Sequence, residues 1–326
     1  MKVITPARQL PLSASAITIG TFDGVHRGHR HLLSRAIEFA ASMGIPSVAV
    51  TFHPHPASVV RPESAPKLIN SFEERLALFE EVGVDFCYLV EFDQARANES
   101  AEDFIRSTLV EELGAKAVVV GPDFRFGHRR GGDVDLLRYL GASLGFVVEA
   151  DPFVMTDGRQ AARVRKALGH DDDGVEIVIS STLIRSLIAK GEVELGNELL
   201  GRDFFITGLV NSGDGRGGGE LGFPTANVAY SPARLLPADG VYAGWVRFGL
   251  TKAAAAISVG TRPTYYPQGG DRLIEAFVLD FAGDLYGREI SVGFQRFLRV
   301  QEAFTTSADL LEQIEHDVAM VREQWR

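Results

Sequence analysis

Hydrophobic and polar positions follow two different rhythms along this chain. Up to about residue 150, short apolar runs alternate with amphipathic stretches. Residues 16–20, 47–52, 85–92, 116–121 and 146–150 read as strands, and the segments between them as helices. The first helix, over 29–43, stops at Gly44 ahead of Pro46, a common C-terminal signal. Ser71 with Glu74 has capping-box spacing and opens a helix that ends near Gly83. Ser100 with Asp103 starts another, closed at Gly114, and residues 134–144 form one more. Repeated βα units predict a parallel sheet with helices on both faces and right-handed crossovers. Ligands on such sheets bind beyond the carboxyl ends of the strands.

The rhythm then changes. Residues 156–174 are polar and read as an exposed excursion. A helix begins in 179–185 (ISSTLIR) and is expected to run to about Leu200. From Phe204 the pattern is strand, glycine-rich turn, strand: FFITGLV, VYAGWVRF, AAAAISVG, LIEAFVLDF, REISVGF. Such runs predict an antiparallel barrel or sandwich, closed by an amphipathic helix over 308–325. The expected division is a domain of 1–186 and a domain of 187–326, with 187–202 as a helical linker.

Composition narrows the class. At 326 residues two domains are expected, and the 45% apolar and 23% charged fractions are those of a globular protein. The net charge of −10 argues against a general nucleic-acid or membrane binder. Cys87, the single cysteine, sits in an apolar run and reads as a buried strand residue. There is no apolar run long enough to span a membrane, and residues 1–15 lack a signal-peptide core, so the chain reads as cytoplasmic. Nothing in it speaks against a homo-oligomer.

Candidate chemistry begins at the first helix. Residues 26–31 read His, Arg, Gly, His, Arg, His, cations set against the positive end of a helix dipole. Phosphate is the anion that suits such a place. The spacing puts His26 and His29 on one face of the first turn, and Gly28 leaves room for a ligand to approach the backbone. Positioned donors of this kind suit nucleotidyl transfer. A second helix start, with Ser180, Ser181, Thr182 and Arg185, repeats the combination of hydroxyls and a cation. Neither GxGxxG nor GxxxxGK[ST] occurs. His53 and His55 share a strand face and form an HxH pair, but no third metal ligand is apparent and prolines flank His55. Phe124-Arg125-Phe126 with Arg129 and Arg130 has the alternation of an RNA binder, which the acidic total opposes.

The second half offers its own site. Residues 213–227 (GDGRGGGELGFPTAN) suggest a backbone-donating loop over phosphates, with a threonine hydroxyl and an asparagine carbonyl suited to Mg²⁺. Glu275 lies with Leu273, Phe277, Leu279 and Phe281 on one apolar strand face, where a carboxylate is costly unless paired or used. A general base is the expected use.

Together, GTFDGVHRGH (20–29), TFHPHP (51–56), GPDFRFG (121–127) and ISSTLIR (179–185) resemble the adenylyltransferase module of prokaryotic bifunctional riboflavin kinase/FAD synthetases. GRGGGELGFPTAN, SVGTRPTYY and IEAFVLDFAGDLYG resemble the riboflavin kinase module of the same family. The resemblance spans nearly the whole chain. It implies a Rossmann-like nucleotidyltransferase domain followed by a small antiparallel β-barrel kinase domain. In the first, His26 and His29 would stabilise the transition state, while Gly20, Phe22, Asp23, Gly28, Ser181, Thr182 and Arg185 would hold ATP. His55, Asp123, Phe124 and Phe126 would line the flavin side. In the second, Gly213, Gly222, Pro224, Thr225 and Asn227 would hold ATP, Thr225 and Asn227 also Mg²⁺, and Glu275 would activate riboflavin. Riboflavin, FMN, FAD and ATP are the implied substrates and products. Two departures stand out: His53 replaces the more usual aspartate, and the excursion of 156–174 is longer than the family leads one to expect. A flavin- or nucleotide-sensing regulator is the alternative reading, disfavoured by the intact set of catalytic side chains.

Overall fold

A computed structural model describes residues 1–5, 12–169, 176–211, 225–261 and 272–325. The chain falls into two compact units, Met1–Met155 with Ile177–Ser180, and Thr156–Glu176 with Ser181–Arg326.

In the first unit, β1 (Lys2–Ile4), β2 (Ser15–Ile19), β3 (Ser47–His53), β4 (Phe86–Glu91), β5 (Ala115–Val120) and β6 (Val147–Ala150) form a six-stranded parallel sheet. Their order is β1-β4-β3-β2-β5-β6. The chain winds outward from β2 through β3 and β4, then crosses back to β5 on the other side. The switch point therefore lies beyond the carboxyl end of β2, where α/β sheets bind ligands. Helices α1 (Arg27–Met43), α2 (Pro56–Val60), α3 (Phe72–Val82), α4 (Gln94–Ala97), α5 (Ala101–Asp103) and α6 (Val134–Leu144) connect the strands.

Burial on both sheet faces follows from apolar residues at successive strand positions. Val48 and Val50 pack with Ile17, Leu109 and Val118 on one side. Ala49 and Cys87 pack with Leu33, Leu78 and Phe79 on the other. Helix ends obey local chemistry: Gly44 takes φ 65° and donates to the Ala40 and Ala41 carbonyls. The Ser71–Glu74 capping box is formed from both sides, at 3.1 and 2.9 Å. The sequence reading does not foresee the short helices α2 and α4, and two further features differ from it. A three-residue edge strand, Lys2–Ile4, precedes the first expected one, and Phe104–Glu112 continues α5 as a π-helix.

The second unit opens with α7 (Gly158–Leu168), whose capping box joins Asp157 and Gln160. The polar excursion thus contains a helix, stabilised by its cap and by burial of Ala161 and Val164. The helix expected to run to Leu200 is two: α8 (Ser181–Ala189) and α9 (Val193–Leu200). Gly191 at φ 85° supports the break, and the Leu187 carbonyl accepts from both Lys190 and Glu192 N–H groups.

Then β7 (Phe204–Asn211), β8 (Thr225–Val228), β9 (Gly240–Phe248), β10 (Thr251–Gly260), β11 (Leu273–Val278) and β12 (Glu289–Arg299) close an antiparallel barrel in the order β10-β11-β8-β7-β12-β9. The terminal helix Ser307–Trp325 is tied to the end of β12 by the Arg299–Asp317 ion pair at 2.8 Å, most of it out of water.

Candidate active sites

Beyond the carboxyl ends of β2 to β5, the loops of the first unit surround a cavity of about 720 Å³. Gly20 and Thr21 from the end of β2 and Phe52 from β3 form part of its wall. His55 lies in the wall as the N-cap of α2, its Nδ1 accepting from Ala57 N–H at 3.1 Å. Phe92, just past β4, meets Phe52 edge to face at 5.7 Å. Phe124 and Phe126 stack at 5.3 Å on the β5 side. Arg61, Arg125, Arg129 and Arg130 add positive charge to a wall that also carries these aromatic rings. A flat aromatic ring with an anionic tail is the kind of ligand such walls suit.

At the start of α1, the His26 and His29 rings stack with centroids 3.6 Å apart. His26 is the N-cap, and its Nδ1 accepts the His29 backbone N–H at 3.3 Å. That acceptor role puts the donor hydrogen of the neutral ring on Nε2. Phe22 holds His29 from the side, edge to face at 5.2 Å, and is itself fully buried against Phe79. A Cβ at Gly28 would stand 3.2 Å from the His26 ring. The room that Gly28 provides is therefore occupied by the imidazole, where the sequence suggested ligand approach to the backbone. Gly20 plays the same part for Phe22, at 3.2 Å from its ring. Asp23 is turned inward, its carboxylate accepting from Ile69 N–H at 2.9 Å and Asn70 N–H at 3.3 Å. Asp123 is exposed in the turn after β5. His53 diverges from His55 and stacks on Phe72 at 4.7 Å. Burial and the nearby Arg75 hold the His53 pKa below its ordinary value.

At the start of α8, Ser181 and Arg185 are half-buried and Thr182 is exposed, while Ile184, Leu187 and Ile188 bury the opposite side. The i, i+4 spacing places Ser181 and Arg185 on one face of the helix.

In the barrel, antiparallel register fixes a second group. Glu275 on β11 pairs with Asn227 on β8 and with Ser258 on β10, and Asn227 pairs in turn with Asn211 on β7. These four polar residues form a row across four strands on one sheet face. Thr225, two residues before Asn227, shares that face and lies opposite Phe277. Gln301 reaches the row, donating from Nε2 to Ser258 Oγ at 2.8 Å. The fully buried face of β11 carries Ile274, Ala276 and Val278, so Glu275 lies on the half-buried face of the strand. The sequence reading sets Glu275 on a costly apolar face, and the structure corrects this: both faces are apolar in sequence, so alternation alone does not tell which one meets the core. Gly213, Gly222 and Pro224 lie outside the described residues.

Some contributors are given no role from the sequence. Phe52, within TFHPHP, and Phe92, at a strand end, are not named as site residues, although the carboxyl-end rule marks such positions. Asn211, and Ser258 at the start of SVGTRPTYY, become partners of the site through register.

A family model described as FAD synthetase matches residues 9–164, and one described as riboflavin kinase matches residues 200–325. A bifunctional riboflavin kinase/FMN adenylyltransferase from Pseudomonas fluorescens is 37% identical over 94% of this chain and 91% of its own length. The protein of the same description from Escherichia coli K12 is 35% identical over 97% of this chain and 94% of its own length. A solved structure from Streptococcus pneumoniae, described as a macrolide-efflux protein, superposes with a TM-score of 0.82 at 28% identity over 99% of both chains. Among the described residues of this chain, no helix is long and apolar enough to cross a membrane. Two family models in this order, with full-length relatives at this identity, place the chain in the bifunctional riboflavin kinase/FMN adenylyltransferase family: it is an enzyme that phosphorylates riboflavin with ATP to FMN and adenylylates FMN with ATP to FAD.

Proposed function

We propose that the two reactions are divided between the residues picked out above, FMN adenylylation in 1–186 and riboflavin phosphorylation in 187–326, with 187–202 as the helical linker. The observation that carries this division is the separation of two chemistries. Stacked histidines stand at a helix start in the first unit, and a glutamate–asparagine register pair lies in the barrel of the second.

In the first reaction, a phosphate oxygen of FMN attacks the α-phosphorus of ATP, and the bond to the pyrophosphate leaving group breaks. His26 Nε2 and His29 donate to the charge that gathers on the α-phosphate, a role worth several kcal/mol when donors are fixed beforehand. Gly20, Phe22, Asp23 and Gly28 shape the turn that holds them. Ser181, Thr182 and Arg185 hold the remaining phosphates of ATP. The flavin occupies the aromatic cavity between His55, Phe124 and Phe126, with Asp123 at its edge.

In the second reaction, Glu275 takes the proton from the terminal ribityl hydroxyl of riboflavin, whose oxygen attacks the γ-phosphorus of ATP as ADP leaves. The hydroxyl of Thr225 and the amide oxygen of Asn227, on the same face as the carboxylate, form an all-oxygen donor set that fits Mg²⁺. Charge neutralisation at the transferred phosphoryl group is the chemistry that bound Mg²⁺ supplies. We assign the enzyme to the cytoplasm, with small molecules as its partners and no nucleic-acid or membrane surface; self-association is compatible with this reading. No observation favours a flavin-sensing regulator.

Chromatography of products from riboflavin, ATP and Mg²⁺ tests the reading. FMN followed by FAD is expected, and neither should form when Mg²⁺ is chelated. Binding of riboflavin without either product would overturn it.

A further inference from the structure

Arg75, in the first turns of α3, is a buried guanidinium, 5% exposed, and is not among the residues that line the cavity of about 720 Å³. From behind the cavity its Nη1 donates to the Thr21 carbonyl, to Thr51 Oγ1 at 3.0 Å and to the Phe52 carbonyl at 3.3 Å. Thr21 and Phe52 are both wall residues. Thr51 Oγ1 itself donates to the Thr21 carbonyl at 3.3 Å, so one cation draws the end of β2 and the end of β3 together.

The same chain segment grips the turn from its other side. Asn70 Oδ1 accepts the Gly24 N–H at 2.6 Å, and the backbone N–H groups of Ile69 and Asn70 hold the Asp23 carboxylate. Between these grips, Phe22 at φ 49° and Val25 at φ 39° sit in the left-handed region. Bulky and β-branched residues adopt it only where their surroundings hold them there. The charge on Arg75 is retained at a cost: burial lowers its pKa, with Asp23 the largest opposing influence. A cation kept dry to bind backbone carbonyls, rather than a carboxylate, suits a part that sets shape.

We propose that Arg75, with Asn70 and Asp23, is a positioning device for FMN adenylylation. It holds the turn of residues 20–25 and the wall at Phe52 in their binding shape before substrates arrive. The proposal rests on the reading of the first unit as the FMN adenylylation site. Without the device, substrates must order the turn as they bind, and apparent affinity falls by the fraction of molecules already in the competent shape.

Arg75→Gln and Arg75→Lys in the full chain test this, with steady-state constants for both reactions and amide exchange measured on the same samples. Arg75→Gln is expected to raise KM for ATP and FMN in FAD formation by about 10-fold, as for a turn formed in a tenth of molecules. It should speed exchange at Gly24, Ile69 and Asn70 and leave the constants for FMN formation unchanged. Arg75→Lys should recover part of both effects. A purely stabilising role would instead lower kcat in proportion to active protein at unchanged KM, and that result would overturn the proposal. Should Arg75→Gln not fold, Thr51→Val removes one partner at nearly constant volume and should raise the same KM values; unchanged values would count against the device. A wild-type chain that made FMN but no FAD would refute the site reading, while unchanged exchange at the three amides would refute the device itself.

Discussion

Glu275 stands directly across from Asn227 in the antiparallel register of β11 and β8, on a face they share with Thr225. This relationship joins a candidate base to candidate metal ligands that lie far apart in the chain. If Glu275 takes the hydroxyl proton, Glu275→Gln keeps the shape and removes the base. General-base catalysis contributes about 10²–10⁴-fold, so FMN formation should fall by that order. FAD formation from supplied FMN should be unchanged. Separate assays of the two half-reactions check this.

The stacked histidines make the reciprocal prediction. His29→Ala removes a donor at the helix start and should lower FAD formation by about 10²–10³-fold, the effect of losing one oxyanion-type donor. FMN formation should be intact. Loss of both activities in folded protein would contradict the division.

Cys87, a residue of strand β4, is fully buried in the core, and burial pushes its thiol pKa up to about 12. At pH 8 roughly one thiol in ten thousand is then ionised, so the native protein should not react with a thiol reagent on the timescale of minutes. Denaturant should release one fast equivalent. Rapid labelling of native protein would contradict the burial.

His53 gives a pH dependence whose sign is set by its lowered pKa. The unfolded chain takes up this proton near the ordinary value of about 6.5, the folded chain only at lower pH. Below about 6.5 the unfolded state therefore binds more protons, and stability falls as pH drops through that window. His53→Gln should flatten this slope in denaturant titrations between about pH 7 and 5; an unchanged slope would remove His53 as its source.

The Arg299–Asp317 pair anchors the terminal helix from within a mostly dry contact, with Asp317 also accepting from Gln313 at 3.0 Å. Arg299→Ala leaves that carboxylate buried without its cation and should cost about 3 kcal/mol, at the low end for breaking a buried pair. Chemical denaturation measures it.

Much of this architecture was legible because local chemistry and fold agreed. The Ser71–Glu74 box, the Gly44 stop and the cationic start of α1 each appear where their residues place them. Three things were not legible. The break at Gly191 interrupts a continuous apolar periodicity, and only the pairing of α8 and α9 reveals it. The face of β11 that meets the core was hidden because Ile274 and Ala276 are as apolar as Leu273 and Phe277. Arg75 carried no signal in the sequence, because its partners are backbone carbonyls brought near by the β2–β3 pairing.

The central claim is that one chain holds two separable active sites, and complementation tests it most directly. Glu275→Gln and His29→Ala proteins are each given riboflavin, ATP and Mg²⁺, alone and mixed, and FAD is measured. Each alone should make almost none, the first stopping at riboflavin and the second at FMN, while the mixture should restore FAD synthesis. A mixture no more active than either variant alone, with both proteins folded, would contradict the account.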